Sequence, residues 1–325
     1  MKTVDLENIF QPVHCHLEAM EARFATLMAP PKTLPPGLLN LASTPTGKRM
    51  RPALLMLSGD ACGQLNDRHV WAGTVVELIH TATLVHDDVI DDAALRRWQP
   101  TVTHAYGKGV SVLLGDYLFS LALRHFPMVG PQAVEILGPA IQHMCEGELR
   151  QALRANDPEL TEAEYTQIIS MKTAELYAAS CELGALLAGD DEETVRRFTE
   201  YGRLLGIAFQ IADDCLDLAG AEATAGKTLG LDLQKGKLTL PGIRLLKVVD
   251  STQRERTIQL LSQPGDPAAR EEVVALMQQY GTVQYALERA EEYAQQAIGQ
   301  ARALEALERT EPFELLAEFT VARTR

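Results

Sequence analysis

Positive charge is scarce in this chain. Its 30 Lys and Arg stand against 44 Asp and Glu, a formal net charge of −14 over 325 residues. A general nucleic-acid binder needs a basic face, so this balance argues against one. An anionic ligand stays allowed, because local patches decide that. Cysteine is sparse as well. Cys15, Cys62, Cys145, Cys181 and Cys215 are odd in number, widely spaced and never arranged as CxxC. They read as reduced thiols of a cytoplasmic protein. His14-Cys15-His16 lacks partners at metal-ligand spacing and reads as surface helix. No uncharged apolar run reaches the roughly 18 residues of a membrane span. The opening MKTVDLENIFQPV carries acids early and has no apolar core of signal length. No GxSxG or Cys-based nucleophile motif is present. GAEATAGKT imitates a P-loop, but five residues separate Gly220 from Gly226 where the signature needs four.

Strand patterns are missing too: there are no alternating β-branched runs bounded by turns. What replaces them is helical periodicity along almost the whole length. Val283, Ala286, Leu287, Ala290, Tyr293, Ala294 and Ala297 recur at three- and four-residue steps, the stripe of an amphipathic helix. Thr161 and Glu164 stand at capping-box spacing at the start of a helical stretch that closes at Gly189. Loops are expected at APPKTLPPG, RRWQPT, FPMVGPQ, RANDPEL, AGDDEE and SQPGDP. No repeat or low-complexity tract appears. The expectation is an all-α bundle of about ten to thirteen helices, forming a single domain over residues 1–325.

LIHTATLVHDDVIDDAALRR, residues 78–97, packs Asp87, Asp88, Asp91 and Asp92 into six positions. The helix leading to them is apolar on nearly every side: Trp71, Val75, Val76, Leu78, Ile79, Ala82, Leu84 and Val85. Such a helix is normally buried, which puts the aspartates at the mouth of an interior cavity. AFQIADDCLDLAG repeats the pattern with Asp213, Asp214 and Asp217. Carboxylates at i and i+4 share a helix face and repel unless a cation bridges them. Oxygen ligands without His or Cys suit Mg²⁺, which completes its shell with phosphate oxygens. Cations accompany both clusters: Lys48, Arg49 and Arg51 in TGKRMRP, then Arg96 and Arg97, Lys172 beside Thr173, and Lys227, Lys235 and Lys237. Arg and Lys in such places suit a diphosphate.

These segments, with GDYLFS, EGELRQ, KTAELYAAS and GKTLGLDLQKGKLTLP, span roughly residues 47–241 in one order. The chain resembles the trans (head-to-tail) polyprenyl diphosphate synthases, and ELLAEFTVAR is similar to that family's closing helix. The resemblance implies an all-α fold around a deep apolar cavity. It implies that Asp87 to Asp91 bind Mg²⁺ carrying the allylic diphosphate and that Asp213 to Asp217 bind a further Mg²⁺. Asp87, Asp91 and Asp213 would be the direct ligands of about three ions in the loaded site. It places Lys48, Arg51, His80 and Arg97 in the pocket for isopentenyl diphosphate. Arg96, Lys172, Thr173, Gln210, Lys227 and Lys237 match contacts to the allylic diphosphate, and Glu148 and Gln151 a supporting GExxQ segment. Asp87, Asp88, Asp91, Lys172, Asp213, Asp214 and Lys227 would carry the chemistry: ionisation of the allylic diphosphate, attack by the isopentenyl double bond, and loss of a proton. Ala82 and Thr83 are small where short-chain relatives carry bulky aromatics. They point to a longer product of about six to ten isoprene units, suited to a respiratory quinone side chain. The family implies a homodimer, and a long product calls for loose membrane association at release.

Two departures stand out. Thr46-Gly47 replaces the family's Gly-Gly, and Trp98 replaces the glycine of its RRG. The alternatives are a short-chain farnesyl or geranylgeranyl synthase and a silent subunit of a heteromeric enzyme. Silent subunits lose aspartates, and here both motifs are complete. An HD-type phosphohydrolase built on His80, His86 and Asp87 would leave the second motif unexplained. Terpene cyclases carry one DDxxD, and head-to-head synthases do not need Lys48, Arg51 and His80.

Overall fold

The computed structural model describes residues 6–42, 47–96, 98–219, 231–304, 307 and 309–322. Among them stand thirteen helices of eight residues or more: His14–Leu27, Met50–Ala61, Asp67–Ile90, Lys108–Val129, Gly138–Leu153, Glu162–Ile169, Glu175–Ala188, Glu192–Ala219, Leu240–Val248, Ser251–Leu261, Pro267–Gln279, Thr282–Arg302 and Glu311–Ala322. The only strands among the described residues, Leu95–Arg96 and Gln99–Pro100, pair as a minimal antiparallel hairpin that overlaps the expected RRWQPT loop and begins one residue before it. The fold is all-α, as the periodicity dictates.

The capping box is present. Glu164 N–H donates to Thr161 Oγ1 at 3.2 Å, and Thr161 N–H returns a bond to Glu164 Oε2 at 2.9 Å. One expected loop is helix instead. The Lys108–Val129 helix runs through Pro127 and stops only at Gly130, whose φ of +112° an L side chain rarely adopts. Proline in a last turn forfeits one backbone bond, which burial of Phe126 and Val129 offsets.

The chain forms two compact units. The first comprises the described parts of Met1–Pro139, Ala179–Thr199 and Leu304–Pro312. Its axis is the Asp67–Ile90 helix, with Ala72, Val75, Val76, Leu78, Ile79 and Ala82 fully buried. This helix packs on Lys108–Val129, Met50–Ala61 and His14–Leu27, so its apolar surface is covered on several sides. Each buried Val, Leu or Ile contributes roughly 1.5–3 kcal/mol. The second comprises Ala140–Ala178 and the described parts of Glu200–Ala303 and Phe313–Arg325. Its core joins Tyr165, Ile168, Ile207, Ile211, Leu240, Ile243, Ala286 and Ala290. The alanine stripe lets the Thr282–Arg302 helix lie close against Leu240–Val248.

All five cysteines are free thiols. His14 pairs with Glu18 on an exposed helix face at 3.2 Å. No helix among the described residues is long and apolar enough to cross a membrane.

Candidate active site

The first acidic motif ends the Asp67–Ile90 helix, where the backbone dipole already disfavours negative charge. Asp88 and Asp92 meet basic side chains directly. Buried Asp88 accepts from Arg96 Nε at 2.9 Å and Nη2 at 2.8 Å on one oxygen. Exposed Asp92 pairs with Lys108 Nζ at 2.8 Å, which holds its carboxyl below the usual range. Asp87 and Asp91, four residues apart and half-buried, share a face of the helix end. Arg96 lies in the first strand of the hairpin, two residues before Trp98 at its tip. Trp98 is 70% exposed with φ at +66°, the left-handed region that glycine enters freely. That backbone geometry explains why glycine suits this turn. Arg97 lies outside the described residues.

Two turns before Asp87, Arg51 and His80 meet: Nη1 stands 3.1 Å from His80 Nε2. A guanidinium can only donate, so Nε2 accepts and the ring proton sits on Nδ1. Lys48 is exposed at the start of the same stretch. Thr83, half-buried, donates its hydroxyl to His80 O at 2.8 Å. Ala82 is fully buried. So the structure brings Arg51 and His80 together, and of the two small residues only Thr83 retains accessible surface.

In the second unit, Lys172 and Thr173 occupy a π-helical turn, Ser170–Ala174. The wider turn shifts the side-chain register at a helix interior, a distortion frequent at functional sites. The helix carrying Glu148 and Gln151 lies directly on it. A Cβ at Gly147 would stand 2.6 Å from Lys172 N, so only glycine permits this approach. Lys172 Nζ consequently reaches both Glu148, as an ion pair, and Gln151 Oε1 at 2.8 Å. An ammonium has three donors, so one remains for an anion.

A hydrogen-bond chain orders the second acidic motif. Tyr165 O–H donates to Asp214 Oδ2 at 2.6 Å. Gln210 Nε2 donates to Asp214 Oδ1 at 2.7 Å. Thr173 Oγ1 donates to Gln210 Oε1 at 2.8 Å. Both Asp214 oxygens are thus engaged within the protein. Burial, and then Asp232, push its carboxyl up to about 8. Burial also drives the Tyr165 hydroxyl well above its ordinary value, so it stays a donor. Asp213 and Asp217 are half-buried, and Asp217 Oδ2 accepts from Asp232 N at 3.1 Å. Lys237 lines a small cavity with Gln151, Arg154 and Tyr165. Lys227 lies outside the described residues.

Tyr165 was invisible to sequence reasoning. It occupies an apolar stripe position on Glu162–Ile169, where an aromatic ring reads as core, and it is core. Only folding shows that its hydroxyl meets Asp214.

The donor chemistry fits magnesium. Each motif offers carboxylate oxygens alone. Among the described residues no three His, Cys, Asp or Glu side chains gather closely enough to hold a metal unaided. Mg²⁺ commonly takes one or two carboxylates and fills its octahedron with phosphate oxygens and water.

Residues 37–280 match the family model for polyprenyl synthetase. Octaprenyl diphosphate synthase of Escherichia coli is 35% identical over 280 residues, 86% of this chain and 87% of that protein. Geranylgeranyl diphosphate synthase of Saccharolobus solfataricus is 34% identical over 295 residues, 87% of this chain and 88% of that protein. The crystal structure of polyprenyl synthase from Caulobacter crescentus, complexed with calcium and isoprenyl diphosphate, superposes with a TM-score of 0.89 at 33% identity over the full length of both chains. By the family match over three quarters of its length and these relatives covered almost end to end, this chain belongs to the polyprenyl synthetase family and is a prenyltransferase.

Proposed function

We propose that this prenyltransferase elongates an allylic prenyl diphosphate with isopentenyl diphosphate, yielding an all-trans product of about six to ten isoprene units. The observation that carries the reading is Arg51, three residues after Lys48, meeting His80 on the helix that ends at Asp87 and Asp91. This is a cationic group built from residues other than the Lys172 set, and two diphosphate substrates require two such groups.

Lys48, Arg51, His80 and Arg97 bind isopentenyl diphosphate. Arg96, Lys172, Thr173, Gln210, Lys227 and Lys237 bind the allylic diphosphate. Magnesium held by Asp87, Asp91 and Asp213, about three ions in the loaded enzyme, would supply positive charge against the leaving group. The allylic C1–O bond breaks and its electron pair departs with the diphosphate, stabilised by the lysines. The isopentenyl double bond attacks C1, a C–C bond forms, and the adjacent carbon loses a proton to the released diphosphate. No protein nucleophile takes part. Thr83 lies one turn before Asp87 on the same helix face, and its small side chain leaves the growing chain unobstructed. The reading takes the chain as one synthase domain, working as a cytoplasmic homodimer.

The test is a product assay with purified protein, Mg²⁺, labelled isopentenyl diphosphate and each short allylic primer in parallel. A ladder ending at or beyond six units supports the proposal. An end at three or four units keeps the chemistry and overturns the long product. No product with any primer overturns the enzyme reading in favour of a subunit that needs a partner.

A further inference from the structure

The substrate stretch Lys48–Arg51 contains an arginine that points elsewhere. Arg49 turns its guanidinium onto two carboxylates: Nη1 pairs with Glu77, and Nε and Nη2 pair with Glu21, the latter at 3.2 Å. Its Cζ lies 5.0 Å above the Phe24 ring centroid. Glu77 is 5% exposed on the Asp67–Ile90 helix. Arg49 also adopts φ +48° and ψ +35°, left-handed backbone, immediately before the Met50–Ala61 helix. An L residue holds that conformation only where its surroundings over-determine it. Here three contacts do so.

The placement of these contacts gives them a consequence. Glu77 and His80 are three residues apart, hence neighbours on one helix face. Arg49 anchors to Glu77 and Arg51 to His80, so the stretch is laid along that helix at two successive points. Without the first anchor, the left-handed turn relaxes and Arg51 loses its register against His80.

We propose that Arg49 is a positioning residue for isopentenyl diphosphate. Held by Glu77 and Glu21, it touches no substrate itself but fixes Lys48 and Arg51 as a preorganised anion fork. This rests on the assignment of Lys48, Arg51 and His80 to that substrate.

The informative variants are Glu21→Gln and Arg49→Lys. Glu21 belongs to the His14–Leu27 helix and is half-exposed, so its neutralisation leaves no buried charge behind. Arg49→Lys keeps a cation beside Glu77 but cannot bridge both carboxylates with a fork. Each should raise KM for isopentenyl diphosphate, Arg49→Lys about tenfold and Glu21→Gln less, while KM for the allylic substrate stays unchanged. Combining the two should add little to Arg49→Lys alone, because they break one unit. Unchanged constants in a folded Arg49→Lys enzyme overturn the proposal. So does a parallel rise of both KM values with a lowered Tm, which marks the network as structural only. Arg51→Ala separates the underlying reading: wild-type KM for isopentenyl diphosphate in that variant overturns the pocket assignment itself.

Discussion

At the scale of single residues, the two acidic motifs are built from unequal members. Asp88 and Asp214 are the buried ones, and each is satisfied inside the protein, by Arg96 and by Tyr165 with Gln210. Their neighbours on the helix face carry the accessible oxygen. Tyr165→Phe deletes a donor to a buried carboxylate and nothing else. It should cost about 1–3 kcal/mol of stability, read by denaturant unfolding. Because Gln210 is held by the same carboxylate, KM for the allylic substrate should rise as well. Unaltered stability would show that the 2.6 Å bond contributes little. Trp98 offers the opposite case. It packs on little, being 70% exposed, yet holds a left-handed backbone. Trp98→Gly relieves that strain, partly offset by the larger unfolded-state freedom of glycine, for a net gain of about 0.5–1 kcal/mol. A Tm lower than wild type would mean that the indole makes contacts worth more than the turn costs.

At the scale of helices, position depends on which elements can approach. The Gly138–Leu153 helix reaches the Lys172 turn because residue 147 has no side chain. Gly147→Ala must push the helices apart, and overpacking of this kind costs about 1–3 kcal/mol. Lys172 then loses its alignment with Glu148 and Gln151. Steady-state kinetics should show a raised allylic KM together with an earlier unfolding midpoint. A second contact sets acid sensitivity. His69 Nε2 meets Gly184 O at 3.0 Å and its Nδ1 accepts Asn66 N–H at 3.2 Å, so the ring is neutral. Burial lowers its proton affinity, opposed in part by the Gly184 carbonyl. Below the unfolded histidine value of about 6.5, the unfolded chain binds a proton that the folded chain refuses, so stability falls as pH drops. It is fully present above that value. Thermal melts of wild type should decline as pH falls below about 6.5, and His69→Gln, which keeps a donor and an acceptor, should flatten the decline. Identical slopes would remove His69 as the cause.

At the scale of the whole molecule, the proposed long product requires an open path beside the first acidic helix. Thr83 retains accessible surface one turn before Asp87, whereas Ala82 has none. Thr83→Phe should therefore shorten the product ladder without abolishing the first condensation, as sized by mass after dephosphorylation. Ala82→Phe should instead unsettle folding, since a fully buried alanine has no room for a ring. An unchanged ladder from Thr83→Phe would place the limit on another helix.

The sequence alone determined the fold class, because a 3.6-residue apolar period leaves few alternatives. It also pointed to the family, because two DDxxD motifs with cations in one order resemble the polyprenyl diphosphate synthases, a resemblance the family match then showed. Asp87, Asp91, Asp213, Arg51, His80 and Lys172 could be singled out as candidates because acidic pairs repeat at helical spacing with cations beside them. Tertiary structure decided what each neighbour of these residues does. Arg49 and Arg51 read alike as cations two positions apart, yet one meets Glu21 and Glu77 and the other His80. Tyr165 reads as core, yet its hydroxyl orders Asp214, 49 residues away. Gly147 reads as a weak helix former, yet its missing Cβ admits Lys172. Periodicity states which face of a helix is buried. It does not state which atom from a distant segment will stand within hydrogen-bond reach of that face, since a shift of about 1 Å in packing makes or breaks such a bond.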